Sequence, residues 1–468
     1  MASFERDRPR RKGGVLLFLL VLIAGGLIAS GIYLRPRFEG QPPQIRLTPD
    51  TEAYGRGALE ITIADAGSGL KSLAVTLSSG GPEAVIASEQ FAQPVAEKKI
   101  KVELAKVAGI KEGPATLKIV ARDSSLGGFF KGNEAVLQKQ LTIDLTPPTV
   151  ELIADDRYVN FGGAGAIVYK TSADAATSGV RVGQHFFPGF RGVIKDKPDH
   201  LFAIFAHPYD APADAKAMLV ATDKAGNTRQ MPVVYELKNV RYRKSTIALN
   251  DRFLQGKVAP LLKDAAAQQG SPKDVFVAVN KKLRKENEDK ITAVTKQATP
   301  QVLWEGAFVQ LSNSKVEANF ADERTYTYNG EAIDTAFHLG FDLSVTKQYP
   351  VEAANSGKVA FTGDLGIYGN TVILDHGLGL FTLYSHLSSI DVKDGDSVKQ
   401  RQILGKTGET GLAAGDHLHY GVYLAGVAVL PVEWWDPKWI ADNITPKLAG
   451  QSGEEIHIQQ APTRKRRR

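Results

Sequence analysis

Residues 415–421 read GDHLHYG, and the run continues to residue 427 as VYLAGV. It places His417 and His419 one residue apart in a chain that has nine histidines. In a strand, alternate side chains share a face and lie about 7 Å apart. In a helix the same pair would diverge by about 200°. Tyr420, Val422 and Tyr423 favour the strand, so both imidazoles are expected to face one site. Taken alone, such a pair also fits two ordinary surface histidines. Upstream, residues 368–387 read YGNTVILDHGLGLFTLYSHL, with buried-strand runs at Thr371–Leu374 and Leu380–Tyr384 around a glycine turn. His376 and His386 fall in this stretch, and His338 lies just before it.

The chain of 468 residues is long enough for about three domains. Ordinary charged and apolar fractions favour a largely folded protein. The absence of cysteine excludes disulfides, thiolate metal sites and a cysteine nucleophile, without locating the protein. The net charge of +6 is mild and arises mostly at the two ends.

Val15–Leu34 is an uncharged apolar run of 20 residues. As a helix it would span about 30 Å, the thickness of a bilayer's hydrocarbon core. Arg6, Arg8, Arg10, Arg11 and Lys12 precede it, and only Arg35 and Arg37 follow closely. The positive-inside bias predicts a single-pass, uncleaved anchor with residues 1–14 as a basic cytoplasmic tail. The run exceeds a usual signal-peptide core, and no clear A-x-A site follows it. Residues 447–468 are expected to be a disordered basic tail ending in the Arg464–Arg468 block, free in solvent or touching an anionic surface.

Between these ends the sequence repeats. PPQIRL at Pro42–Leu47 returns as PPTVEL at Pro147–Leu152, and LKIVARD at Leu117–Asp123 returns as AMLVATD at Ala217–Asp223. The offset of about 100 residues is the size of a β-sandwich. Leu59, Ile61 and Ile63, and then Leu73, Val75 and Leu77, alternate with their neighbours as strands do. The TPPTV and ATDKAGN segments resemble bacterial immunoglobulin-like domains. Two such domains are expected, at 42–144 and 145–237, acting in spacing or adhesion outside the active site. Residues 240–300 are predicted to be a helical connector. Ser271 serves as its N-cap and Pro272 as first helical residue, with Val275, Val279 and Leu283 at helical spacing.

His338 and Asp342 are four residues apart in HLGFD. In an extended strand they would be about 13 Å apart, whereas zinc donors each lie about 2 Å from the ion. Sharing a metal therefore requires a bend, which Gly340 permits. H-x-x-x-D, then YSHL, then H-x-H, in a strand-rich stretch from about Phe320 to Trp435, resembles the lysostaphin-type, or LytM-domain, zinc endopeptidases of peptidoglycan. The run ERTYTYNGE at 323–331 supports the resemblance.

The resemblance implies a mainly β chain whose residues 301–446 form an antiparallel β metallopeptidase module of the duplicated hybrid motif type. It implies one zinc ion held by His338, Asp342 and His419, with His386 and His417 as the catalytic pair. It further implies a bacterial inner-membrane protein with its peptidase domain in the periplasm or outside. Peptidoglycan would be its substrate, cell-wall or division proteins possible partners, and nucleic acid not a partner. Arg401 stands where the family has glycine, which puts the local turn in question.

The implied ligand set suits the chemistry. Two imidazoles and a carboxylate leave a fourth zinc position open, and two further histidines can serve as base and oxyanion donor. His376 is expected to support the structure; His185, His200, His207 and His457 have no partner motif. Arg324 either orients substrate or packs the cleft. A rival reading makes the module a regulator of other hydrolases, as in relatives that have lost their ligands; here the ligand set is intact. A lipoyl- or biotinyl-carrier reading fails because Lys358 lacks the flanks of a carrier lysine. GLGLFTL lacks the third glycine and the helix of a dinucleotide loop.

Overall fold

The computed structural model describes residues 13–34, 38–126, 131–263 and 268–451. His457, the basic residues before Gly13 and the Arg464–Arg468 block lie outside them. The chain is mainly β and divides into two compact units, residues 1–147 with 223–227, and residues 148–222 with 228–468.

The first unit contains the helix Gly13–Leu34, which runs 22 residues without a charge. The described side chains of this helix, residues 17–29, 31 and 32, are exposed. Within the described residues alone, no helix is long and apolar enough to cross a membrane. The rest of the unit is a two-sheet sandwich. One sheet pairs Gln44–Thr48, Ala58–Ala64 and Glu97–Glu103, and the other orders Ala53–Tyr54, Glu134–Ile143, Gly113–Asp123, Leu70–Ser78 and Ala84–Val95. Leu59, Ile61 and Ile63 of the first sheet meet Leu73, Val75 and Leu77 of the second in one core, as the period-2 pattern requires.

The second unit begins with another two-sheet sandwich, of four strands each. The repeated segments occupy strands in both copies: Leu117–Asp123 lies in Gly113–Asp123, and Ala217–Asp223 is itself a strand. The second sandwich does not stand apart from the C-terminal part of its unit. Its Ile167, Phe205 and Leu219 belong to the same hydrophobic core as Val275, Tyr384 and Trp434.

Two buried polar contacts reinforce this continuity. Lys447 Nζ lies 2.5 Å from Asp156 Oδ1, both side chains almost fully buried. Glu433 accepts hydrogen bonds from Asn160 Nδ2 at 2.7 Å and Ala164 N at 2.8 Å. The disordered tail was expected from residue 447, but Thr445–Leu448 is helical, with Pro446 and Lys447 buried. A lysine is buried there because Asp156 neutralises it.

The segment 240–300 is helical at 251–261 and 272–295, but Lys244–Leu249 is a strand. Ile247 and Leu249 turn inward from it, and it pairs in parallel with Glu323–Tyr328. Ser271 caps the next helix, accepting from Asp274 N at 3.2 Å, with Pro272 at its first position. Val275, Phe276, Val279 and Ile291 are buried. The charged connector thus contributes to the core through one face.

The C-terminal sheet orders Lys315–Ala318, Phe341–Ser344, Leu418–Leu424, Leu380–Leu387, Asn370–Gly377, Gly357–Asp364 and Ser397–Val398, with Val427–Val429 pairing beside Leu418–Leu424. Its pairings are antiparallel. Leu380–Leu387 and Leu418–Leu424 are buried along their whole length. The glycine turn between the central strands has Leu378 and Gly379 both at positive φ, 54° and 81°, the conformation of a tight hairpin matched to strand twist.

Burial raises Glu433 from its ordinary 4.5 to about 8, against the hydrogen bonds from Asn160 and Ala164. The folded chain therefore keeps a proton that the unfolded chain releases near pH 4.5. The resulting stability is fully present below that pH and is lost as pH rises through about 8. Glu433→Gln, neutral at every pH, is expected to flatten this loss. At pH 8 it should exceed the wild type by on the order of a few kcal/mol. Urea unfolding midpoints across this range check it; parallel curves for the two proteins would refute it.

Candidate metal centre

Strand pairing assembles the site. In the ladder between Phe341–Ser344 and Leu418–Leu424, Asp342 lies directly opposite His419. Ser385, the neighbour of His386, is opposite His419 on the other side. His338 follows the strand Glu331–Phe337, where its backbone N–H donates to Asp322 O at 3.0 Å. The chain then bends through Leu339 and Gly340 into Phe341–Ser344. A Cβ at Gly340 would sit 2.8 Å from the His419 ring and 2.5 Å from Tyr420 O. The glycine is needed for this close approach.

Three donor atoms converge. His338 Nε2 is 2.9 Å from Asp342 Oδ1 and 2.9 Å from His419 Nδ1, and His419 Nδ1 is 3.0 Å from Asp342 Oδ1. His338 donates its Nδ1–H to Asn319 O at 2.9 Å, so a neutral His338 presents a lone pair at Nε2. A lone pair facing a carboxylate oxygen at this distance requires a shared proton or a cation. The donor set fits a metal ion on that ground. Zinc bonds of about 2.0–2.2 Å would separate tetrahedral donors by roughly 3.3 Å, a few tenths of an ångström more than here. His419 Nε2 is buried and has no protein hydrogen-bond partner, so the support that most ligand histidines receive through their second nitrogen is missing on this ring.

Two more imidazoles flank the cluster. The His386 ring centroid lies 4.8 Å from that of His417 and 5.9 Å from that of His419. His386 donates Nδ1–H to Thr410 O and His417 donates Nδ1–H to Gly415 O, each at 2.8 Å. Each carbonyl fixes the tautomer and leaves Nε2 as the second nitrogen. His417 Nε2 lies 3.5 Å from Asp342 Oδ1. His386 has φ +63°, in the left-handed region that histidine enters more readily than most residues.

Burial opposes ionisation of Asp342. The adjacent His338, with the contacts from His417 and His419, nonetheless holds its carboxyl well below the usual range. Burial lowers His386 to about 3 and His419 to about 4. For His417, burial works against the charged form, but the Asp342 carboxylate outweighs it and the net shift is upward.

Asp342 uses its other oxygen on Arg324, whose NH2 is 3.0 Å from Oδ2. Arg324 Nε also lies 3.5 Å from Asp322 Oδ2. His376 lies outside the cluster, fully buried, its Nδ1 2.7 Å from Ser356 O and its Nε2 2.7 Å from Thr382 Oγ1. Burial lowers it to about 4. His200 pairs with Asp199 and His207 with Tyr235, both in the second sandwich, where His185 also lies. Arg401 keeps the turn conformation that glycine would favour, at φ +67°.

The five histidine and aspartate side chains line one cavity of about 240 Å³. Its other wall comes from residues well before the histidine motifs: Ile247, Phe253, Phe276 and Arg284, with Tyr326 behind them. Phe276 and Tyr326 pack with ring centroids 4.8 Å apart. Helical spacing marks Val275 and Val279 as core residues, but nothing in the local pattern shows that Phe276 and Arg284 line the same cavity as His338, Asp342 and His419.

Comparison with known proteins agrees with this geometry. Residues 336–431 match the model of Peptidase family M23. The chain is 39% identical over 95 residues to the DD-carboxypeptidase/endopeptidase Mpg of Neisseria meningitidis, covering 20% of this chain and 22% of that protein. It is 34% identical over 115 residues to the peptidoglycan DD-endopeptidase ShyA of Vibrio cholerae, covering 25% and 26%. The chain thus spans about a quarter or less of the length of these relatives. The catalytic domain of lysostaphin from Staphylococcus simulans is 30% identical, with 28% of this chain and 98% of that domain covered at a TM-score of 0.24. The C-terminal module that carries His338, Asp342, His386, His417 and His419 is a Peptidase family M23 domain.

Proposed function

We propose that this chain is a zinc-dependent endopeptidase that hydrolyses peptide bonds in the stems or cross-links of peptidoglycan. The observation that carries the reading is the convergence of His338 Nε2, Asp342 Oδ1 and His419 Nδ1 within 3.0 Å of one another, beside two imidazoles held by their Nδ1–H groups. The intact ligand set favours this over a purely regulatory module, and the activities for which Mpg and ShyA are named support the substrate class.

His338, Asp342 and His419 would hold the zinc ion. When bound, the ion supplies a Lewis acid and lowers the pKa of a coordinated water to about 7. Arg324 holds Asp342 Oδ2, so that Oδ1 faces the two ligand imidazoles. His386 and His417 manage protons at Nε2. Neutral, either nitrogen takes a proton from the attacking water. Protonated, it donates to the carbonyl oxygen as negative charge develops there.

We further propose that Gly13–Leu34 anchors the chain in a bacterial cytoplasmic membrane, with the peptidase module on the outer side. The first sandwich would act as an immunoglobulin-like spacer. The uncharged 22-residue helix and the basic residues preceding it support the anchor. Mass analysis of membrane-extracted protein is expected to find a chain that retains this helix; one beginning well after Leu34 would instead show a cleaved signal.

Incubation of the full chain with purified peptidoglycan is expected to release fragments with new peptide termini. A chelator should stop this and added zinc restore it. Undiminished cleavage by a fully metal-stripped protein would overturn the zinc reading, and no cleavage by the zinc-loaded protein would overturn the peptidase reading.

His419→Ala is expected to lose nearly all bound zinc. His386→Ala and His417→Ala should keep zinc while turnover falls roughly 10²–10³-fold each. The double variant should fall far short of the product of the two losses. Metal analysis paired with turnover checks this division; zinc loss in the His386 or His417 variants would make that residue a ligand instead.

A further inference from the structure

The cavity lined by His338, Asp342 and His419 contains a second polar feature. Arg284 lines it alongside Phe253, Phe276 and Tyr326. Its guanidinium is braced rather than neutralised. Nε and NH2 donate to Asn280 Oδ1 at 3.1 and 2.9 Å. Asn280 is itself buried, and its Nδ2 donates to Asp334 Oδ2 at 3.0 Å and Thr335 O at 3.2 Å. The amide is thus held at both ends and fixes the plane of the guanidinium.

Among the described residues no carboxylate forms an ion pair with Arg284; Asp334 pairs with Lys281 instead. Glu288, one turn further along the helix, feels the Arg284 charge but, among the described residues, forms no ion pair with it. Arg324, the other guanidinium on the cavity, is already committed to Asp342 and Asp322. Arg284 keeps its NH1 group and an outer N–H of NH2 beyond the two bonds to Asn280, in a cleft whose nearby walls are apolar and aromatic. A rigid guanidinium with free N–H groups in such surroundings is matched by a carboxylate, which it binds in fork geometry.

We propose that Arg284 is a specificity-determining residue of this cleft, recognising a carboxylate carried by the peptide substrate. This rests on the peptidase reading above and adds the chemical class to it: the preferred peptide is anionic at the end lying against the helical wall. The carboxylate is either the C-terminal group of the peptide or an acidic side chain. Both present the same two oxygens to Arg284. The wall is built by a segment outside residues 336–431, so this preference belongs to this chain rather than to the M23 domain alone.

The test measures binding, so that it does not depend on turnover. Four short peptides of one sequence carry either a free or an amidated C-terminus and either Glu or Gln at one internal position. Calorimetric titration uses the full chain, kept metal-free with chelator and, separately, loaded with zinc. Wild type is expected to bind one carboxylate form on the order of 10- to 100-fold more tightly than its amide; the arm that shows the preference identifies which carboxylate is read. Arg284→Gln should reduce the preference to within about twofold, with Arg284→Lys intermediate, since lysine keeps the charge but loses the fork. Equal binding of all four peptides by wild type, or a preference that survives in Arg284→Gln, would overturn the proposal. Circular dichroism and zinc content of both variants confirm the fold. A wild-type preference that Arg284→Gln abolishes, with no cleavage of any peptide or of peptidoglycan, would overturn the peptidase reading and leave Arg284 as a carboxylate-binding residue of the cleft.

Discussion

The antiparallel pairing of Phe341–Ser344 with Leu418–Leu424 is the constraint on which the site depends. It sets Asp342 opposite His419, and a slip of one residue would turn one of them to the other face of the sheet. The register is held by burial: Leu418–Leu424 is covered along its whole length, and Phe341 and Leu343 are buried on the partner strand. A slip would expose apolar side chains as well as separate the ligands. Stability and chemistry are therefore secured by the same ladder, and Gly340, having no side chain, leaves room for the His419 ring beside the bend that returns His338 to the same point.

Around this ladder the protein places several residues in conformations a regular strand would not supply. His386 takes a positive φ at the end of Leu380–Leu387, and Arg401 does so in a turn of the module. Left-handed backbone in a non-glycine residue costs roughly 1 kcal/mol or more. At His386 that cost is offset by the Thr410 carbonyl, which fixes the ring. Strand geometry would aim residue 386 by alternation alone; the left-handed conformation re-aims it toward His417.

The second unit also shows how far a site extends beyond its motif. The helical segment and the strand Lys244–Leu249 form one wall of the cavity, while Glu433 and Lys447 join the end of the module to the second sandwich. A buried lysine or glutamate is tolerated only with partners, so these contacts specify how the parts of the unit fit together. The second sandwich, expected from its repeat to be a spacer, shares a core with the peptidase module.

Much was legible in the linear order. Period-2 alternation marked Leu59, Ile61 and Ile63 as core, because strand side chains alternate whatever the strand pairs with. Ser271 and Pro272 marked a helix start, because capping is local. The spacing of His338, Asp342, His386, His417 and His419 was readable as a resemblance, since a metal site needs these donor types in an order the fold can close. Other features depend on residues distant in sequence. Only the tertiary structure decided that Asn280 braces Arg284 at the cavity lined by His338, Asp342 and His419, that Arg324 binds the outer oxygen of Asp342, that Lys447 is buried, and that His386 is left-handed. Each arises where long-range packing, rather than local propensity, determines which partner a polar group meets.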